Sequence, residues 1–133
     1  MAIVDNSSLP VALSIESASP SEITLVETTI RARHSKDVPE RIIGDKAYDS
    51  DPHDELLRRR FGVELIAPHK RNRKRKATQD GQTLRCYKRR WKVERFFSWL
   101  QSFRRVKTRY EYNDHNYLGM VQLASIKIML RYL

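Results

Sequence analysis

The stretch that decides the fold is Arg41-Ile42-Ile43-Gly44-Asp45-Lys46-Ala47-Tyr48-Asp49-Ser50. Two β-branched residues closed by a Gly-Asp pair read as a short strand ending in a polar turn. An aspartate at the C-terminal end of such a strand points into the crevice where open α/β sheets place their sites. Taken alone, Asp45 stays ambiguous, because Asp in a turn commonly bonds its own backbone.

Working outward, the pattern repeats on both sides. Asp51-Pro52-His53-Asp54 opens a helix whose apolar side is Leu56, Leu57 and Phe61, and Gly62 ends it. Residues 63–68, Val-Glu-Leu-Ile-Ala-Pro, read as a second strand. Towards the N-terminus, residues 1–4 and 11–15 are apolar and flank a turn of Asn, Ser and Pro, which predicts a hairpin. Ser19-Pro20-Ser21-Glu22 looks like a helix start, followed by Ile23, Val26 and Ile30 at helical spacing, with Pro39 breaking the segment. The order strand, strand, helix, strand, helix, strand implies an α/β fold: a mixed sheet with flanking helices, parallel pairing in part and an antiparallel hairpin at one side.

Charge singles out the second half. Lys plus Arg number 26 against 16 Asp plus Glu, a net charge of +10. Six of the seven residues at 70–76 are basic, and the segment at about 69–82 reads as an exposed, mobile loop. A surface of this kind attracts polyanions, with DNA backbone contact its natural use. No apolar run reaches the roughly 20 residues that span a membrane, and residues 1–5 lack a basic signal-peptide start. One cysteine, Cys86, excludes an internal disulfide and a Cys-based zinc site, so a reducing cytoplasm is the default. His34, His53, His69 and His115 show no ligand spacing and read as surface residues.

A long helix is expected from about 83 to 103 and another from about 116 to the end. On the first, Tyr87, Arg90, Glu94 and Gln101 fall within about 60° of arc. Val93, Phe96, Leu100 and Phe103 form a separate apolar side. Residues 85–109 hold ten basic residues and Glu94 as their one acid. Such a carboxylate is either a charge-balancing ion pair or a metal ligand; exposed ion pairs are common even though each contributes little. The aromatics Trp91, Trp99, Phe96, Phe97 and Phe103 could stack on bases. Helical spacing favours core for them, with Trp91 the candidate for exposure.

The segment at 41–50 resembles the second-aspartate segment of DDE transposases of the insertion-sequence-five-like group. Residues 87–100, followed by Phe103-Arg104-Arg105, are similar to that family's glutamate-bearing helix. Tyr87, Arg90 and Glu94 keep its Tyr-Arg-Glu spacing, while Gln101 stands where the family has Lys. Leu9-Pro10-Val11-Ala12 and Ala18-Ser19-Pro20 also look like the family's hairpin and helix start. The resemblance implies a ribonuclease-H-like catalytic domain over residues 1–133, in which three acids hold two Mg²⁺ or Mn²⁺ ions for in-line phosphodiester cleavage and strand transfer. It maps the second acid to Asp45 and the third to Glu94. It implies that Tyr87 and Arg90 face the DNA or support the metal carboxylates; with the basic content, the expected DNA-binding residues are Tyr87, Arg90, Lys70, Arg71, Arg73, Lys74, Arg75, Lys76, Arg104 and Arg105.

The first acid of that pattern lies on a strand before the hairpin, and Asp5, at the hairpin's turn, is not expected to replace it. The resemblance therefore implies a sheet lacking its first, central strand, in a fragment or a second reading-frame product. Implied partners are element-end and target DNA, the upstream reading-frame product, and further copies of the chain when complete, at the nucleoid and without membrane. The competing reading is a non-catalytic DNA-binding protein or regulator of transposition. An RNA-binding role would explain the charge but not the paired segments.

Overall fold

The computed structural model describes residues 1–17, 19–74, 76–79 and 81–132. The chain forms the expected hairpin from β1 (Ala2–Val4) and β2 (Pro10–Leu13), paired antiparallel with an irregularity at Ile3/Val4. One carboxylate oxygen of Asp5 shapes the turn, accepting from the Ser7 and Leu9 amides at 2.7 and 2.8 Å. Ser8, buried with φ 68°, completes it. A single 3₁₀ turn (Glu22–Thr24) leads into α1 (Leu25–Arg31), which ends well before Pro39. Beyond it Ala12 bridges Arg33, and the His34 amide donates to the Val11 carbonyl at 2.9 Å, so this tail occupies the outer edge of β2.

The next unit is strand, helix, strand. β3 (Arg41–Ile43) pairs parallel with β4 (Glu64–Ile66), and the Gly44 amide extends the ladder to the Ile66 carbonyl. Between them runs α2 (Asp51–Phe61), with Pro52 in its first turn and Gly62 at φ 68° closing it. The Gly62 and Val63 amides bond the Arg58 and Leu57 carbonyls, the pairing that satisfies a helix end when Gly takes the left-handed conformation.

Two expectations change. The described strands form two separate two-stranded sheets rather than one mixed sheet. Two core clusters form, with Ile3 of β1 also packed against the second. Leu13 of the hairpin packs with Phe96, Leu100, Val121, Ala124 and Ile128; Leu65 of the parallel pair packs with Val26, Ile30, Leu57 and Val63. Buried Ser14 and Thr29 tie β2's end to α1 through a 2.7 Å hydroxyl contact.

The long helix expected from 83 to 103 is in two parts, and a separate short helix follows it. Residues Thr83–Arg89 are 3₁₀, α3 spans Trp91–Leu100 and α4 spans Arg104–Lys107. Thr, Cys and Tyr in the first part are poor α-formers. At the other end the Ser102 hydroxyl takes the Trp99 carbonyl at 2.7 Å, and Phe103 turns extended. Finally α5 spans Asp114–Met129, its start capped by the Asn113 side chain accepting from the His115 amide. No helix among the described residues is long and apolar enough to cross a membrane.

Candidate active site and DNA-facing surface

A cleft of about 720 Å³ lies between the two sheets. Ala2, Ile3 and Val4 of β1 line it, as do Ile42, Ile43 and Asp45 from the β3 end and Arg89, Arg90, Lys92 and Val93 from the junction of the 3₁₀ segment with α3. Asp45 sits two residues beyond β3. Its carboxylate accepts from the Ala47 amide at 2.8 Å and caps the one-turn 3₁₀ helix Lys46–Tyr48. The local turn role therefore exists, and it leaves the residue on the cleft wall. Gly44 is required beside it: a Cβ there would stand 2.9 Å from the Tyr48 ring. Burial first, and then the nearby Glu22 carboxylate, raise the Tyr48 phenol well above its ordinary value.

Tyr87, Arg90 and Glu94 meet, although not as one face of a continuous α-helix. Tyr87 is in the 3₁₀ segment, where residues three apart eclipse, and the Arg90 guanidinium lies over its ring at 5.9 Å. Arg90 then pairs with Glu94 at 2.6 Å, and the Glu94 side chain is 56% exposed. Gln101 lies just beyond α3, exposed, beside a second cavity of about 450 Å³ floored by Leu13, Leu100 and Val121.

The rest of α3 braces the hairpin. Lys92 donates to the Asn6 backbone carbonyl at 2.6 Å, and Arg95 donates to the Ser8 hydroxyl at 3.0 Å. Arg95 also lies over the Trp91 and Trp99 rings at 4.5 and 5.3 Å. Phe96 is fully buried as expected; Phe97, expected in the core, is 43% exposed, and Trp91 is 48% exposed.

Of the basic segment, Lys70, Arg71, Lys74 and Lys76 are exposed, and Arg75 lies outside the described residues. Arg73 is turned inward and is 12% exposed. Its guanidinium donates to Asp49 at 2.8 Å and to Asp51 at 2.7 Å, and also reaches the Lys76 carbonyl. Asp49, 5% exposed, also accepts from the Lys70 amide at 2.7 Å and meets His69 Nδ1 at 2.9 Å. Because His69 Nε2 accepts from the Thr78 amide, Nδ1 carries the proton and donates to Asp49. Burial alone would raise the Asp49 carboxyl. The Lys70 and His69 hydrogen bonds, with the charge of Arg73, outweigh it and hold the group below its ordinary value.

This corrects the reading of His69 as a surface residue, and it gives the expected exposed loop one inward-facing cation, Arg73. Nothing in the sequence singled this pairing out: Asp54, Glu55, Glu64 and Asp80 are all nearer the basic block in chain order than Asp49 and Asp51. Arg104 and Arg105 are exposed, Arg105 pairing with Glu111 at 3.3 Å.

Asp45 and Glu94 are hard oxygen donors of the kind Mg²⁺ or Mn²⁺ takes. Among the described residues no group of three or more His, Cys, Asp or Glu is gathered to hold a metal. The chain thus offers two carboxylates toward such a group: Asp45 on the cleft wall, and Glu94 paired to Arg90, which also lines the cleft.

The match to known sequences decides the family. The Transposase DDE domain family matches residues 1–127. This chain belongs to the DDE transposase domain family. The domain is 31% identical over 117 residues to the Burkholderia cepacia protein named "Putative transposase for insertion sequence element IS402", covering 82% of this chain and 51% of that relative. This transposase domain therefore spans about half the length of the relative it matches. No solved structure matches it.

Proposed function

We propose that the chain is the Asp- and Glu-bearing part of an insertion-sequence transposase of the insertion-sequence-five-like group, with a ribonuclease-H-like catalytic domain that cleaves and joins DNA. The observation that carries this reading is that Asp45 and Arg90 wall one cleft, with Glu94 ion-paired to Arg90. The matched segments for the second and third acids thus border one space. Two Mg²⁺ or Mn²⁺ ions, when bound, would stabilise the attacking and leaving oxygens of the phosphodiester. Asp45 and Glu94 would hold them, Arg90 would orient the Glu94 carboxylate, and Tyr87 would support Arg90 by its ring face.

A third carboxylate is needed. The cleft is flanked by β1 and β3, neither of which pairs across it. We place the missing acid on a strand entering between them, from an upstream segment or a separate reading-frame product. Unpaired strand edges are the usual template for such an addition. Element-end and target DNA, further copies of the chain and a nucleoid location belong to the same proposal.

The test is nicking of a duplex carrying the element ends, with Mg²⁺ or Mn²⁺, by this chain alone and together with the upstream segment. Metal-dependent cleavage that disappears in both Asp45→Asn and Glu94→Gln is expected. Salt-sensitive DNA binding without cleavage under any of these conditions would leave the second reading, a DNA-binding regulator of transposition. That reading is favoured by the net charge of +10.

A further inference from the structure

The block at 70–76 is not uniform: four of its described cations are exposed, while Arg73 is half-buried and turned inward onto Asp49 and Asp51. The joint has several independent fixings. The Asp49 carboxylate takes the Lys70 amide, His69 and Arg73. Arg73 passes on to Asp51 and to the Lys76 carbonyl. His69 takes the Thr78 amide, and the Gln79 side chain donates to the Leu65 carbonyl at 3.1 Å. A bidentate guanidinium bridging two carboxylates has fixed geometry as well as attraction.

Loops rich in cations resist a single conformation because like charges repel. A buried acid inside such a loop removes that repulsion at its centre and orders the rest. We propose that Asp49 is a positioning residue for DNA-backbone binding: through Arg73 as a strut, it holds Lys70, Arg71, Lys74 and Lys76 as a preset row of phosphate contacts. Arg73 is the strut of that row and not one of its contacts. The proposal rests on the DNA-binding reading above and adds to it that one acid, next to the catalytic turn, strengthens affinity for a polyanion.

Point-charge reasoning gives the opposite sign, which makes the test decisive. Asp49→Asn raises the net charge by one, from +10, and on charge alone should tighten DNA binding. Preorganisation predicts weaker binding, because ordering the loop would then fall to the binding step. Affinity for a non-specific DNA duplex should be measured across a salt series for the full chain. Four phosphate contacts from the row would contribute a slope of about −3.6 in log K against log salt.

The expected result is a loss of about 3- to 10-fold in affinity for Asp49→Asn, with faster tryptic cutting at the basic block. Arg73→Lys keeps the charge and loses the fork, and should behave alike. Asp51→Asn, which leaves Asp49 in place, should lie between and serves if Asp49→Asn does not fold. Faster cutting with unchanged or tighter DNA binding would overturn the positioning role while leaving DNA binding intact. No DNA binding by the native chain, or preference for an RNA duplex over DNA, would overturn both this proposal and the DNA reading on which it rests.

Discussion

The Arg90 guanidinium lies 2.6 Å from the Glu94 carboxylate, one helical turn away, with both side chains open to solvent. Pairs of this type add only about 0.3–0.5 kcal/mol to a helix. Arg90→Ala should therefore leave the melting temperature nearly unchanged. If the pair orients a metal-binding carboxylate, the same variant should reduce nicking by the completed enzyme at least about tenfold, as loss of a group supporting a metal ligand does. Thermal unfolding and cleavage assays on one preparation check it; a large melting shift with normal cleavage would make the pair structural.

Gly44 gives a prediction of the opposite kind. It is buried, and an added methyl would meet the Tyr48 ring and its Cβ at 2.9–3.0 Å. These are root atoms of the side chain, held by the 3₁₀ turn that Asp45 caps, so the ring cannot swing aside freely. Gly44→Ala should destabilise by about 1–3 kcal/mol through overpacking. Chemical denaturation gives the number, and a fully native midpoint would show that the turn yields.

Two aspartates in the joint at the start of α2 should titrate stability in opposite directions. Burial, then Asp51 and Asp49, push the Asp54 carboxyl up to about 6, and one of its oxygens is buried without a hydrogen-bond partner. A carboxyl raised on folding stabilises the fold below its unfolded value, and this contribution is lost as pH climbs towards 6. Asp54→Asn should therefore match the native chain near pH 4 and be more stable at pH 7–8. Two units correspond to about 3 kcal/mol; for a half-buried group, solvent screening brings the expected gain to about 1 kcal/mol. Asp49 is held below its ordinary value, so its contribution is present at neutral pH and lost as pH falls below about 4. Asp49→Asn should be less stable than the native chain at pH 7, with the gap closing in acid. Melts from pH 3.5 to 8 test both, and parallel curves for all three proteins would contradict the assignment.

What was legible in the sequence was local. The hairpin turn, the two strands and helix at 41–66 and the Gly62 stop each depend on residues close together in sequence, whereas the Asn113 cap places the start of α5 earlier than the expected 116. Of the residues that the sequence singled out, Asp45 and Arg90 line one cleft, and Tyr87 and Glu94 each meet Arg90. What was not legible depends on partners distant in sequence. The helical period of residues 87–101 continued through Arg90, yet the backbone changes from 3₁₀ to α there. Six cations at 70–76 read alike, and only packing against Asp49 and Asp51 distinguishes Arg73. The split into two sheets follows from which helices cover which strands: Phe96 and Leu100 of α3 go to the hairpin, Val26 and Leu57 to the parallel pair.

Thr29 tests whether the two halves are held together by a polar joint. Its hydroxyl donates to the Leu25 carbonyl at 2.7 Å, so the Ser14 hydroxyl, 2.7 Å away, must be the donor to Thr29. Both side chains are buried. Thr29→Val keeps the shape and removes the acceptor, leaving the Ser14 hydroxyl buried and unpaired, which should lower stability by about 1–3 kcal/mol. Ser14→Ala removes the donor and leaves Thr29 its carbonyl partner, so its effect should be smaller. The double variant should then recover part of the Thr29→Val loss, because no unpaired hydroxyl remains. Strict additivity of the two single changes in denaturant melts would mean that the hydroxyls do not interact and that the sheets are joined by apolar packing alone.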